Sequence, residues 1–217
     1  MRCEKGWMVP TLQLGDDFFL LEDWDESPAG PYRAVFHFTP DGTRTLYIDS
    51  EAAVDVISSI HRFDAVRVVD IVSERRDGEW VLRAKTGPNK GELRIEVDYE
   101  DAGALKVVNA VASRTPEVIT RNSLYCRLMP GMAALVIGTD PGQKIVGTTE
   151  IGTTCRFRVE KLFKVARARA TWGGNDAGDF VECTLDHDLG DFSPVSKAVV
   201  SKVTLCFEPA DGSRPGA

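Results

Sequence analysis

Four ionisable side chains stand close together in one short segment, His61-Arg62-x-Asp64-x-x-Arg67. Imidazole and carboxyl groups move protons in many enzymes, and arginine stabilises the negative charge of an acid or an enolate. We therefore name His61, Asp64 and Arg62 as candidate catalytic residues and Arg67 as a candidate substrate-binding residue. The alternative is a helix C-terminus, where His61 and Arg62 lie near the negative end of the helix dipole and an exposed loop follows.

Four further side chains are candidate substrate-binding residues. Tyr32, Arg33 and Tyr47 belong to neighbouring predicted strands, although packing accounts for the two tyrosines equally well. His37 alternates with two phenylalanines, so either the phenylalanines face the core and His37 faces solvent, or the reverse holds. A surface histidine, or one satisfied by a hydrogen bond, is the alternative to a ligand contact.

Other groups that bind metals or phosphates lack the required spacing. The segment 186–191 (DHDLGD) matches neither a calcium loop nor a histidine pair on one helix, and an acidic turn explains it. Segment 138–144 (GTDPGQK) lacks the phosphate-loop spacing and is typical of a turn. We expect no metal and no cofactor. The five cysteines are scattered without a C-x-x-C pair, which predicts reduced, mostly buried thiols.

Length and charge limit the class of protein. The 217 residues predict a single domain over 1–217 with a frayed tail at 211–217. A net charge of -7 and a pI near 5.1 disfavour a nucleic-acid partner. The longest apolar stretch, 128–138, is too short to cross a bilayer, and no secretory signal is visible. We therefore expect a cytoplasmic protein without a membrane partner.

Alternation of apolar and polar residues predicts the strands that position these side chains. Residues 32–39 and 45–49 form a hairpin with its turn at Asp41-Gly42. Residues 66–72, 80–85 and 93–99 form an antiparallel meander with a turn at Asp77-Gly78, and strands follow at 155–159, 165–172 and 199–207. The fold class is α+β, predominantly antiparallel, with a barrel-like or conical sheet and few helices.

One helix is predicted over residues 50–60. Ser50 can cap it, and Ala53, Ile57 and Ile60 share one face that would pack on the sheet. Residues 194–200 fit a second short helix or a strand.

Four segments, in order, resemble the acetoacetate decarboxylase family. They are 18–39 (FFLLEDWDESPAGPYRAVFHFT), 46–54 (LYIDSEAAV), 123–130 (SLYCRLMP) and 192–200 (FSPVSKAVV). The resemblance implies the fold named above, an enclosed and largely apolar cavity, a small-molecule substrate and assembly into a homo-oligomer. It also implies that the loop after the 50–60 helix lies where the family keeps its reactive group.

The sequence departs from that family at the reactive position. The family has a pair of lysines after this helix, one of which forms an imine with a β-keto acid. Residues 60–67 contain no lysine, and arginine is a poor nucleophile because it stays protonated. We therefore predict an enzyme that shapes a carbonyl-rich, polyketide-like metabolite by cyclisation, isomerisation or dehydration. The alternatives are a non-catalytic ligand carrier, or a decarboxylase whose amine is supplied by Lys85, Lys144, Lys164 or Lys197.

Overall fold

Thirteen strands of the described residues form one curled sheet that two helices accompany. The computed structural model describes residues 2–87, 91–101, 103, 105–115, 144–184, 189–190 and 196–208. The strands are β1 (Arg2–Leu14), β2 (Asp17–Glu26), β3 (Tyr32–Phe38), β4 (Arg44–Ile48), β5 (Ala65–Val68), β6 (Ile71–Arg76), β7 (Glu79–Lys85), β8 (Glu92–Glu100), β9 (Val146–Thr148), β10 (Thr154–Trp172), β11 (Asn175–Asp176), β12 (Phe180–Val181) and β13 (Val199–Glu208). The helices are α1 (Glu51–Ser58) and α2 (Leu105–Arg114).

The sheet is antiparallel except where β4 pairs with β5, so the predicted fold class is confirmed. Its strand order is β5-β4-β3-β2-β1-β13-β10-β8-β7-β6, with β9 and β11 added to β10 and β12 added to β1. The glycines of the two predicted hairpin turns, Gly42 and Gly78, have φ values of 85° and 81°. Such backbone angles favour glycine, and both hairpins are confirmed.

Two adjacent strands of the chain, β5 and β6, lie at opposite ends of the strand order. The predicted single strand over 66–72 is therefore wrong, because the segment breaks at Val69-Asp70. The Val69 N–H donates to the Ile48 carbonyl (2.8 Å), and the Lys85 N–H donates to the Asp70 carbonyl (3.0 Å). These bonds tie the two sheet ends to one short connection, which requires the sheet to curl.

The C-terminal strands are longer than their sequence pattern predicts. Residues 155–159 and 165–172 belong to one strand, β10, which shifts register between Val159 and Lys161 and again between Val165 and Arg167. Each shift interrupts the alternation of buried and exposed residues, so one bulged strand has the pattern of two. The segment predicted as helix or strand at 194–200 enters β13 at Val199.

Helix α1 lies within its predicted range. Ser50 occupies the N-cap position with an extended backbone, but its side chain makes no capping hydrogen bond. Ala53, Ile57 and Ile60 are buried, as their shared face predicts. Helix α2 has no counterpart in the sequence prediction, and its Asn109 accepts from the Leu162 N–H of β10 (2.7 Å).

Both faces of the sheet carry a hydrophobic core. Along β3, Tyr32, Ala34 and Phe36 pack into the first core, against β1, β2, α1 and β13. Val35 packs into the second core, against β7, β8 and the later part of β10. A strand with two buried faces has no solvent side, which decides the position of His37 described below.

The prediction that the cysteines are reduced is wrong for one pair. Cys3 and Cys206 form a disulfide between directly opposed residues of β1 and β13, with a Cα–Cα distance of 4.1 Å. The two residues are separated by 203 positions in sequence, so their spacing gives no sign of the pairing. Cys155 is buried and Cys183 is half-buried, and neither belongs to this disulfide.

Some predictions fall on residues outside the described ranges. They concern the 123–130 segment, most of 138–144 and 186–191, Cys126 and the 211–217 tail. None of the described helices has the length and hydropathy needed to cross a membrane.

Candidate active site

A cavity of about 80 Å³ opens on the first core, at the C-terminal end of α1. It lies among strands β1, β2, β3, β10 and β13 and the residues that follow α1. Its walls are mostly apolar, but two glutamates, a tyrosine, a histidine and a cysteine also reach it. The lining residues are Glu4, Met8, Pro10, Thr11, Leu20, Glu22, Tyr32, Phe36, Ile57, Ile60, His61, Thr149, Cys155, Phe157, Leu189 and Leu205.

Glu4 reaches the cavity from β1 and is 1% exposed. The Tyr32 hydroxyl donates a 2.9 Å hydrogen bond to its Oε1 atom. Gly6, two residues further along β1, lets the strand approach β2 closely, since an added Cβ would lie 2.6 Å from the Trp24 Cα. The β1–β2 register shifts between Lys5 and Gly6, so this approach and the bulge together set the place of Glu4.

Glu22 reaches the same cavity from β2 and is 6% exposed. The Trp24 indole N–H donates a 2.9 Å hydrogen bond to its Oε2 atom. Leu20, Glu22 and Trp24 lie on one face of β2 because side chains alternate along a strand. Glu22 is therefore an acidic side chain on an otherwise apolar face of β2. Its Oε1 atom and Oε2 of Glu4 accept no hydrogen bond from the described residues.

Burial shifts the proton affinity of both glutamates. It raises the pKa of Glu4 to about 7, although the hydrogen bond from Tyr32 partly opposes the shift. It raises the pKa of Glu22 to about 8, with a further contribution from the charge of Glu4 and partial opposition from Trp24. Since the two groups interact, they titrate as a pair. Near neutral pH the pair therefore retains protons that exposed carboxyl groups would have lost.

The hydroxyl and thiol beside this pair stay protonated. Burial, followed by the charges of Glu22 and Glu4, raises the pKa of Tyr32 far above its ordinary value. Burial, assisted by the charge of Glu4, raises the pKa of Cys155 to about 12. A thiol in this state is a poor nucleophile, so Cys155 forms part of the wall and is not a reactive group.

His61 is the one member of the predicted catalytic segment that lines the cavity. Its ring packs edge-on against Phe36, with centroids 5.6 Å apart, and its Nδ1 lies 3.8 Å from Glu150 Oε1. Burial would raise the pKa of Glu150, but contacts with His61, the Arg62 N–H and Arg44 outweigh it and hold the value at about 2. Glu150 is thus a fixed negative charge behind His61.

The other three residues of that segment lie outside the cavity. The Arg62 side chain is exposed, and its backbone N–H donates to Glu150 Oε1 (2.8 Å). Asp64 is also exposed, and its Oδ2 accepts from the Arg44 N–H (2.8 Å), which fixes the loop to β4. Arg67 is exposed on β5, opposite Tyr47 of β4.

Among the five predicted substrate-binding residues, Tyr32 lines the cavity, whereas Arg67 and the three described next do not. Arg33 forms an ion pair with Asp49 (3.1 Å). Tyr47 is buried in the second core. His37 is buried, stacks on Phe19 and contacts Asp17 through Nε2 (2.9 Å). Both faces of β3 are covered, so Phe36 and Phe38 face the first core while His37 is buried on the opposite face. His37 therefore does not face solvent, and its polar contact is with Asp17.

No group of three or more His, Cys, Asp or Glu side chains among the residues that the structure describes is arranged to hold a metal ion. None of the four lysines considered for a relocated imine, Lys85, Lys144, Lys164 and Lys197, lines the cavity.

Two solved structures of acetoacetate decarboxylases are similar to this chain. The enzyme of Legionella pneumophila is 11% identical, with 96% of this chain and 83% of that chain covered and a TM-score of 0.41. A second acetoacetate decarboxylase is 12% identical, with 96% and 84% covered and a TM-score of 0.42. These structures belong to the family that the four segments resemble, and the likeness is one of fold. No family model and no curated protein matches the sequence.

Proposed function

We propose that this protein is an enzyme that transfers protons on a small carbonyl compound, with Glu4 and Glu22 as its acid–base pair and without a Schiff base. The observation that carries the proposal is the placement of two buried carboxyl groups on the wall of one apolar cavity. Among the described residues, a single donor orients each carboxyl group, and the other oxygen accepts no hydrogen bond from them.

The proposed step is enolisation. An ionised carboxylate takes a proton from the carbon beside the carbonyl, and the C–H electron pair becomes the C=C bond of the enol. The carbonyl oxygen then takes a proton from the other, protonated carboxyl group. When the pair binds one proton in total, the ionised glutamate is the base and the protonated one is the acid.

Isomerisation, dehydration and cyclisation of a carbonyl-rich, polyketide-like metabolite all begin with such a step. The apolar wall holds the carbon skeleton, and a fixed pose contributes to the rate because reacting groups are already oriented. Tyr32 and Trp24 position the two carboxyl groups, and His61 is a further titratable group on the same wall.

Deuterium exchange tests the proposal before the natural substrate is known. Acetoacetamide in D₂O should lose the protons of its central CH₂ faster with the protein than without it, as followed by proton NMR. Glu22→Gln should lower the protein-dependent rate by roughly 10²–10⁴-fold. Glu26→Gln is the matched control, since Glu26 lies on the same strand with an exposed side chain and should keep the rate. Saturable binding without exchange would instead identify a non-catalytic carrier.

A further inference from the structure

Two acids and no cations are found among the described residues that line the cavity. Among its described lining residues, no lysine or arginine accompanies Glu4 and Glu22. The titratable groups that face the pair are Tyr32 from β3, Cys155 from β10 and His61 after α1, while β13 contributes only Leu205. Glu150, behind His61, adds negative charge and is itself paired with Arg44.

We infer that the substrate is an uncharged carbonyl compound and that this cavity excludes carboxylates, an inference that rests on the proposed proton-transfer function. A β-keto acid, the class that a decarboxylase must bind, would then be a poor ligand even though the cavity could hold its carbon skeleton.

Exclusion of carboxylates follows from desolvation. A carboxylate leaves water at a large free-energy cost unless a cation or several donors replace its hydration. Here the nearest charged groups would be Glu4 and Glu22, which are of the same sign. A carboxylate could enter only while both glutamates keep their protons, so its binding would be coupled to proton uptake.

An uncharged carbonyl compound fits the cavity because Glu4 and Glu22 can still form hydrogen bonds with it. Each glutamate accepts a hydrogen bond from the described residues through only one of its oxygens, and the pair with one bound proton in total therefore offers a ligand one donor and one acceptor. The oxygen of a ketone ligand accepts a hydrogen bond from the protonated glutamate. The α-proton of the ketone, or the hydroxyl of its enol, faces the ionised glutamate. An ammonium group carries three N–H donors and would leave at least one without a glutamate oxygen.

Acetoacetamide and acetoacetate form a matched pair of probes, since they have the same number of non-hydrogen atoms and differ in charge. Their dissociation constants are measured by ligand-observed NMR at pH 6 and pH 9. We expect acetoacetate to bind at least tenfold more weakly than acetoacetamide at pH 9, and the ratio to shrink at pH 6, where both glutamates are protonated. Glu22→Gln should reduce the ratio at pH 9, and Glu26→Gln should leave it unchanged.

Equal binding of the two probes at pH 9, or a ratio that does not depend on pH, would overturn the inference. Tighter binding of hexylammonium than of acetoacetamide would also overturn it, in favour of a cationic ligand. Because binding is measured without turnover, these results leave the exchange experiment with Glu22→Gln as a separate test of the proposed function.

Discussion

Glu22 is an acid whose burial makes the stability of the protein depend on pH. Its pKa is about 8 in the folded protein, against the ordinary glutamate value of 4.5 that applies once the chain unfolds. Between these values the folded state binds the proton and the unfolded state does not, so the free energy of unfolding falls as the pH rises. A difference of one pKa unit between the two states corresponds to about 1.4 kcal/mol.

Glu22→Gln should therefore remove part of this pH dependence. The amide keeps an oxygen that can accept from Trp24 Nε1 but does not ionise. We expect the variant to gain stability relative to the parent protein as the pH rises from 5 to 8.5, in urea unfolding followed by tryptophan fluorescence. A constant difference across that range would contradict the burial of an ionisable Glu22.

Of the residues that line the cavity, the sequence patterns single out His61 and Tyr32 but not the two glutamates. Alternation along β2 does contain the signal, because Glu22 lies in phase with the buried Leu20 and Trp24. Glu4 has no comparable local signal. It enters the site only because β1 lies beside β2 and Tyr32 of β3 reaches it, and pairing between distant strands is not encoded in a short window.

At the scale of elements, strand β6 is fastened to β2 through Asp23. Its carboxylate accepts a 2.6 Å hydrogen bond from the Ser73 hydroxyl and contacts the Arg75 guanidinium. The guanidinium also lies over the rings of Trp7 (5.3 Å) and Trp80 (5.5 Å). This cluster joins a strand at the end of the sheet to one near its middle, so it supports the curl.

Arg75→Met should destabilise the protein by roughly 2–4 kcal/mol, because it leaves the buried Asp23 carboxylate without its closest cation. Chemical denaturation measures the change. Arg76→Met is the control: Arg76 is the next residue, its side chain is 78% exposed, and the expected change is within about 0.5 kcal/mol. Equal effects of the two substitutions would contradict the role of Arg75.

Local patterns predicted the elements that local chemistry determines. The Asp-Gly turns at 41–42 and 77–78 and the apolar face of α1 are properties of a few neighbouring residues. The break at Val69-Asp70 is different, because it reflects how far the sheet must curl to bring β5 and β6 together. Helix α2 was missed although its buried residues recur at helical spacing, and Asn109 fixes it to β10.

For the whole molecule, the Cys3–Cys206 disulfide joins the first and last described strands across 203 positions. A crosslink restricts the unfolded chain, and one that closes so long a loop stabilises the fold by roughly 2–5 kcal/mol. We expect Cys3→Ala/Cys206→Ala to lower the free energy of unfolding by that amount. Cys183→Ala, which changes a half-buried cysteine and leaves this crosslink intact, should have a smaller effect. Mass spectrometry after alkylation without reductant should show both linked cysteines unmodified.

The central position of β13 has a consequence for the order in which the protein can be made. Strand β13 lies between β1 and β10, so among the described strands β1 to β5, with β12 added to β1, have no direct ladder to β6 to β11 until β13 is present. During translation β13 is synthesised after all the other described strands. Pairing of β1 with β13 closes most of the chain into one loop, a contact typical of slow folding. Leu205 of β13 also forms part of the cavity wall. The described wall of the cavity is therefore completed last, and a nascent chain carries Glu4 and Glu22 without a finished pocket around them.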